Sequence, residues 1–508
     1  MAKNRTFGTC RRCILMAGLG GLVMSWLSAC DQQAGFGNQS TLASQQNIRF
    51  SSTSSGTSRE EQWIRERKLA GDSPIAIATS LKAQYQLDAR TLALLMKAQG
   101  FECGDVAEVL HVVYSMPAEA TASMLRSVEY DTVSVASALK SKLAIKIDES
   151  SLILSKIGCG TAEIAETLIK VFAADAMTAV AVLNKLGTTV ANLSVVLTST
   201  YALTLQEAGV VLKSSGFAAQ DICRAFFERH SISEDAAATL LSSIGFGIAE
   251  VGLALEVIFS TKLEIEAKHL LTAGYKVAEL AKYLHEKHQL SVEITASVLH
   301  KIGCTGPEIA TVLKNVFQIK AELAASIFHS LAYSAIQIGS LLKDVFLLNA
   351  DLAAPILHAI GRTSLEIALV LKDVFVLKAE IAAGVLLHVG CAVQEIGMAL
   401  KQIFGLQAQI ALGILKSLGC TAIQLGGILK DVYLVKVELA VPILRGIGCA
   451  TSEIGQVLKV VFGLTAIQAA GILKIAGYAA FDIISILRDV FLVGADIIVG
   501  ILAGVGLH

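Results

Sequence analysis

Proline, tryptophan and unbalanced charge are what this chain has least of. Its 508 residues include five prolines and two tryptophans. So little proline beside 54% apolar residues excludes a disordered or proline-rich linker protein. Lysine and arginine number 42 against 43 aspartate and glutamate, which gives no electrostatic pull toward nucleic acid or anionic lipid. Mean hydropathy is high at +0.62, yet beyond the N-terminus no charge-free apolar run of 20 residues occurs. The apolar excess is therefore expected in helices buried on several sides, not in membrane spans. The sequence holds no glycine-rich phosphate loop, zinc-type spacing or nucleophile–base constellation, and points away from an enzyme, a metal site or a cofactor.

What is present begins with an address. Lys3, Arg5, Arg11 and Arg12 precede an apolar run of 16 residues, 14–29, the length of a signal-peptide core. It ends in Leu27-Ser28-Ala29-Cys30, which resembles the lipobox of bacterial lipoproteins. The resemblance covers residues 1–30. It implies export, cleavage before Cys30, and lipid on Cys30 holding the chain to the cell envelope, facing periplasm or exterior. An ordinary signal peptide or an uncleaved anchor is the alternative. Arg11-Arg12-Cys13-Ile14-Leu15 also resembles a twin-arginine export signal, with Ile14 where phenylalanine is usual. Asp31 stands where Gram-negative lipoproteins often carry an inner-membrane retention signal. Residues 31–57, rich in Ser, Gln, Gly and Thr, read as a flexible tether.

The rest of the chain is one pattern repeated. From Gly71 to Gly506 a glycine recurs every 29 residues, with Glu129 and Ala332 in the two remaining places. An aromatic column keeps the same period, as at Tyr85, Phe172, Phe375 and Phe491, with Leu143, His230 and His288 filling its gaps. Each unit reads as two helices. Ile309, Val312, Leu313 and Val316 mark the buried face of a first helix. Thr305/Glu308, Ser334/Gln337, Thr363/Glu366 and Thr421/Gln424 are capping boxes at its start. Asp88, Thr204, Ser233, Ser291, Asn349 and Thr465 are N-caps of the second helix. That helix is expected to bury Leu323, Ala324, Ile327 and Leu331, and the column glycine ends it as a left-handed cap. Glu129 and Ala332 are then strained or capped differently. Small residues such as Ala310, Gly339, Gly397, Gly426 and Gly455 permit close helix approach. Pro355 and Pro442 fall inside second helices, unless those helices start later.

Neither helix hides its apolar face alone, so units must stack. The expected fold is all-α: a superhelical α-solenoid, of either hand, with about fifteen two-helix repeats over residues 71–508. A capping helix at 58–70, opened by Ser58 and Glu61, places Trp63 over the first unit. The architecture is similar to tetratricopeptide and HEAT arrays, and distantly to TAL effector repeats. The period and the Leu371-Lys372-Asp373-Val374-Phe375 signature match none of their motifs, so no functional residues carry over.

Four features are candidates for function. Cys159, Cys304, Cys391, Cys420 and Cys449 follow the column glycine, and read as small buried hydrophobes. Lys314, Lys343, Lys372, Lys401, Lys430, Lys459 and Arg488 form a ladder, either for a polyanion or simply suiting helix C-termini. His300, His329, His358, Lys416, Arg445 and Lys474 form a second basic column. His285 and His288, an i, i+3 pair, are a weak metal candidate set against packing. Beyond Asp496 no Asp, Glu, Lys or Arg follows, so the last unit is expected to present an apolar face for self-association or a partner, unless the product is truncated. Together these lead to a lipid-anchored, extracytoplasmic scaffold that binds a protein partner, with polyanion binding through the ladder as the alternative.

Overall fold

The structure, a computed structural model, describes residues 59–507. The signal peptide, Cys30, the tether and Ser58 lie outside the described residues. Within them, 31 helices follow one another with no strand between. The first, α1 (Arg59–Leu69), precedes fifteen hairpins. One hairpin stands for all: α18 (Gly306–Asn315), a turn at 316–320, then α19 (Ala321–Ser330). In the next, α20 (Ala335–Asp344) packs on α18 and α21 (Ala350–Ala359) on α19. First helices thus form one layer and second helices another, as stacking requires.

The core runs between the layers from Ile64 to Ile501. Ile309, Ala310, Val312 and Leu313 supply it from α18; Ala324, Ala325, Ile327 and Phe328 supply it from α19. One expected core residue is not there. Leu323 lies in the first turn of α19 and is 45% exposed, and Leu331 is half-buried. The second helix turns its Ala-Ala pair inward, so the preceding aliphatic faces out.

Close approach is visible at the small column. A Cβ on Gly397 would lie 2.8 Å from Ile428, and one on Gly455 would lie 2.7 Å from Ile486, each in the next first helix. Gly339 and Gly426 meet Val370 and Val457 in the same way.

Local chemistry sets the helix ends. Thr305, Ser334, Thr363 and Thr421 N–H groups donate to the side chains of Glu308, Gln337, Glu366 and Gln424 at 2.8–2.9 Å, closing the expected boxes. Asp88, Thr204, Ser291, Asn349 and Thr465 cap second helices, whereas the Ser233 side chain makes no cap bond. All fourteen column glycines are left-handed, at φ of 73–96°. Glu129 and Ala332 take the same conformation at φ 63°, with the same backbone bonds, so they are strained rather than capped differently. Pro355 and Pro442 sit inside α21 and α27 (Val437–Gly446), which do not start later. Helix α1 occupies the register of a second helix. Ile64 is buried where later units place Ala93 and Ala122, and half-buried Trp63 packs on the core under Arg67.

Candidate functional site

The basic ladder holds hairpins together. Lys314, in the last turn of α18, donates from Nζ to the Val345 carbonyl at 2.6 Å, where α20 ends. Lys343, Lys372, Lys401, Lys430 and Lys459 repeat this onto Val374, Ile403, Val432, Val461 and Val490 at 2.5–2.8 Å. Lys82 and Lys140 do so in early units. Carbonyls at a helix C-terminus lack intrahelical donors and carry partial negative charge, so an ammonium there satisfies both deficits. The same ammoniums lie over the next aromatic, Lys401 at 5.3 Å from the Tyr433 centroid and Lys343 at 5.9 Å from Phe375. Arg488 differs: its guanidinium pairs with Asp489 through two bonds of 2.7 and 3.1 Å.

The second basic column does related work. Lys97 donates to the Val128 and Glu129 carbonyls, and Lys474 to Val505, each at the end of the next second helix. Lys68 of α1 makes the same bridge to Gln99 and Gly100. Arg445 lies 4.9 Å from the Tyr478 ring centroid, Lys416 pairs with Glu453 at 3.1 Å, and His300 reaches the Tyr333 hydroxyl at 3.3 Å.

The cysteines and histidines are equally engaged. Cys159, Cys304, Cys391, Cys420 and Cys449 are buried, and none of the seven described cysteines is in a disulfide. Burial pushes the Cys304 thiol up to about 11, and those of Cys103 and Cys223 to about 12. His285 takes the ladder position, with its ring 5.2 Å from Phe317 and Nδ1 2.7 Å from the Leu290 carbonyl. His288 turns elsewhere, to Tyr283. The two rings therefore face different partners.

His288 belongs to a buried polar cluster that periodicity did not reveal. Glu266 is 2% exposed, in a column where neighbouring copies place Ala237 and Thr295. The Tyr283 hydroxyl donates to its Oε1 at 2.5 Å, and His288 Nε2 lies 3.7 Å from that oxygen. Gly252 makes the room: a Cβ there would overlap the Tyr283 ring end. Burial raises the Glu266 carboxyl above the usual range, against the Tyr283 bond and His288 and with the repulsion of Glu256.

A second left-handed column closes each first helix. Every residue from Gln86 to Leu492 at this position has φ of 51–67°, and only Gly405 and Gly463 are glycine. The next N–H reaches back six residues, as from Ile319 to the Leu313 carbonyl at 3.1 Å, in the manner of a Schellman cap. The aromatic ahead of it bonds five residues back, as from Phe317 to Val312, and in two units this widens into π turns at Ile428–Val432 and Val457–Val461. Glycine would have announced this turn, but early copies carry Gln, Ser or Ala. Late copies carry Leu347, Val376, Leu434 and Leu492, each 76–79% exposed. A non-glycine residue there costs about 1–2 kcal/mol.

The surface divides accordingly. The Leu323 column is exposed Ile or Leu in seven consecutive units, from Ile265 to Leu439, at 45–63%. At the start of the array lie polar clefts instead. One of about 570 Å³ is lined by Arg59, Gln62, Trp63, Glu66, Gln84 and Tyr85, and one of about 720 Å³ by Arg126, Tyr130 and Asp131 among others. In the last helix, α31 (Ala495–Gly504), Val499 is exposed at a position that covered hairpins bury, as at Ala470 and Val441, and Ile497 continues the exposed Leu323 column. Among the described residues no three or more His, Cys, Asp or Glu are placed to hold a metal ion, and no helix is long and apolar enough to cross a membrane. The chain matches no protein-family model and no curated protein.

Proposed function

We propose that this chain is a lipid-anchored scaffold of the cell envelope whose first hairpins recognise a protein partner. The observation that carries the reading is the pair of clefts near the N-terminal end of the array. Trp63, Tyr85 and Arg59 line one, and Tyr130 and Arg126 the other. Tryptophan, tyrosine and arginine dominate protein–protein hot spots, because they join large apolar area to a directed polar group. The stapled array supplies a stiff frame behind them, so little ordering entropy opposes binding. The lipobox-like Leu27-Ser28-Ala29-Cys30 supports the anchor. The polyanion alternative needs a row of free cations, whereas the six lysines from Lys314 to Lys459 each bond a carbonyl of the next hairpin.

A photo-crosslinker at Gln62 or Ser123, in cells expressing the full chain, is expected to trap one discrete protein adduct. Trp63→Ala should abolish the Gln62 adduct, while a crosslinker at Ser417 yields none. Equal labelling from all three sites would refute recognition by the first hairpins. Palmitate incorporation lost in Cys30→Ala tests the anchor separately; unchanged membrane retention and labelling would exclude it.

A further inference from the structure

We propose that the turn edge of the last six hairpins rests on a lipid bilayer. The edge is where first helices pass into second helices. Leu347, Val376, Leu434 and Leu492 stand at its tips, each more than three-quarters exposed and each in a left-handed backbone conformation. Leu352, Ile381, Ile410, Leu439 and Ile497, in the first turns of the second helices, continue it at 54–63% exposure. The six-residue bond and the packing of the following residue hold the turn, but neither accounts for an exposed aliphatic side chain at its tip. Other copies show what the fold itself requires there: Gln86, Gln289 and Gln318 make the same turn. The aliphatic tips therefore serve something outside the array.

Three features select lipid. Four of the six tips are aliphatic and the other two are Gly405 and Gly463, without the aromatic or arginine anchors that protein partners engage. Charge along the edge is matched: Lys378 and Lys436 stand two residues from Glu380 and Glu438, all exposed. A nucleic acid or anionic polymer gains nothing from such an edge, whereas acyl chains need only apolar area. The chain also brings a bilayer within reach. Residues 31–58, 28 in all, separate Cys30 from the array, and if they act as the tether their composition suggests, a length of that kind spans about 30 Å. The inference rests on the anchor reading for that proximity. An anchor before the first hairpin and an apolar edge on the last six make a two-point attachment, with the array lying along the surface and the N-terminal clefts held at a fixed height.

The test uses the full chain in phosphatidylcholine proteoliposomes, with an environment-sensitive dye on Val376→Cys; the seven described native cysteines are buried and do not compete. Ala359→Cys, exposed at the opposite end of a second helix, is the control. Nitroxide-labelled lipid is expected to quench the dye at 376 roughly twofold and leave the dye at 359 unchanged, equally in low and high salt. Leu347→Gln, Leu434→Gln and Leu492→Gln together should remove that quenching with helix content intact, since glutamine already occupies this turn in other copies. Quenching at neither site, with the protein still on the vesicles, overturns the edge and spares the anchor. A blue-shifted but unquenched dye at 376 identifies a protein cover, such as a second copy, and overturns lipid contact. Protein released from the vesicles, with both dyes wet, overturns the edge and the anchor together.

Discussion

At the scale of single residues, backbone sign decides more than side-chain character. Ala332 and Glu129 hold φ of 63° where fourteen other copies have glycine, and the surrounding hydrogen bonds are the same. Ala332→Gly and Glu129→Gly are therefore expected to stabilise the fold by about 1 kcal/mol each, the left-handed penalty less glycine's greater unfolded entropy. Chemical denaturation midpoints would show this; no gain would mean that the turn relaxes around a Cβ. A second residue-scale prediction concerns Glu266. Its folded pKa is raised, chiefly by burial. The stability it contributes is thus full below the unfolded carboxyl value, about 4.3, and is lost as pH rises through the folded value. Glu266→Gln keeps an acceptor for the Tyr283 hydroxyl and carries no charge. It should match wild type at pH 4 and exceed it at pH 7.5, read from denaturation midpoints at the two pH values. Equal stability at both pH values would place compensation in the His288 contact.

At the scale of helices, the array is a series of matched pairs. Gly426 faces Val457 and Gly397 faces Ile428, whereas the same two register positions one unit earlier hold the buried Ala368 and the smaller Ala399. Gly426→Ala should destabilise by about 1–3 kcal/mol through overpacking, and Val457→Ala should restore part of that in the double variant. Strict additivity would show that the two do not touch. Pairs of this kind explain what the sequence disclosed. Capping boxes, the glycine column and small-residue approach are local chemistry, and each could be read at Thr363, Gly361 or Gly339 alone. The ladder was half legible. Cations do sit at helix C-termini, but at the terminus of the next hairpin, 31 residues on, which no single-helix argument reaches. The turn at Leu347 and Val376 was not legible at all, because those side chains have no left-handed preference. The six-residue bond and the burial of the following residue, Leu348 or Leu377, impose the conformation. Leu323 was misplaced for a similar reason: apolarity gave it a helical face, and only packing showed which face the alanines had taken.

At the scale of the whole array, each hairpin touches only its neighbours, so stability should be a sum of unit and interface contributions. The sharpest consequence is that a unit can be removed if its edges match. Excising residues 419–447 joins Leu418 to Gly448, sets Gly397 opposite Val457, a valine already packed on a glycine, and lets Lys401 reach the Val461 carbonyl in place of Val432. The shortened chain should keep cooperative unfolding, with a midpoint only slightly below wild type and hydrogen-exchange protection unchanged in distant hairpins. Excising only the second helix of that unit, residues 433–447, keeps the composition nearly as close to wild type but brings two first helices into succession. Neither layer then continues across the cut, and protection should fall on both sides of it. If the whole-unit excision proved as damaging as the half-unit one, coupling would extend beyond neighbouring hairpins. The frame would then be a single cooperative body, and a ligand bound at the Trp63 cleft could be felt at the Leu492 edge.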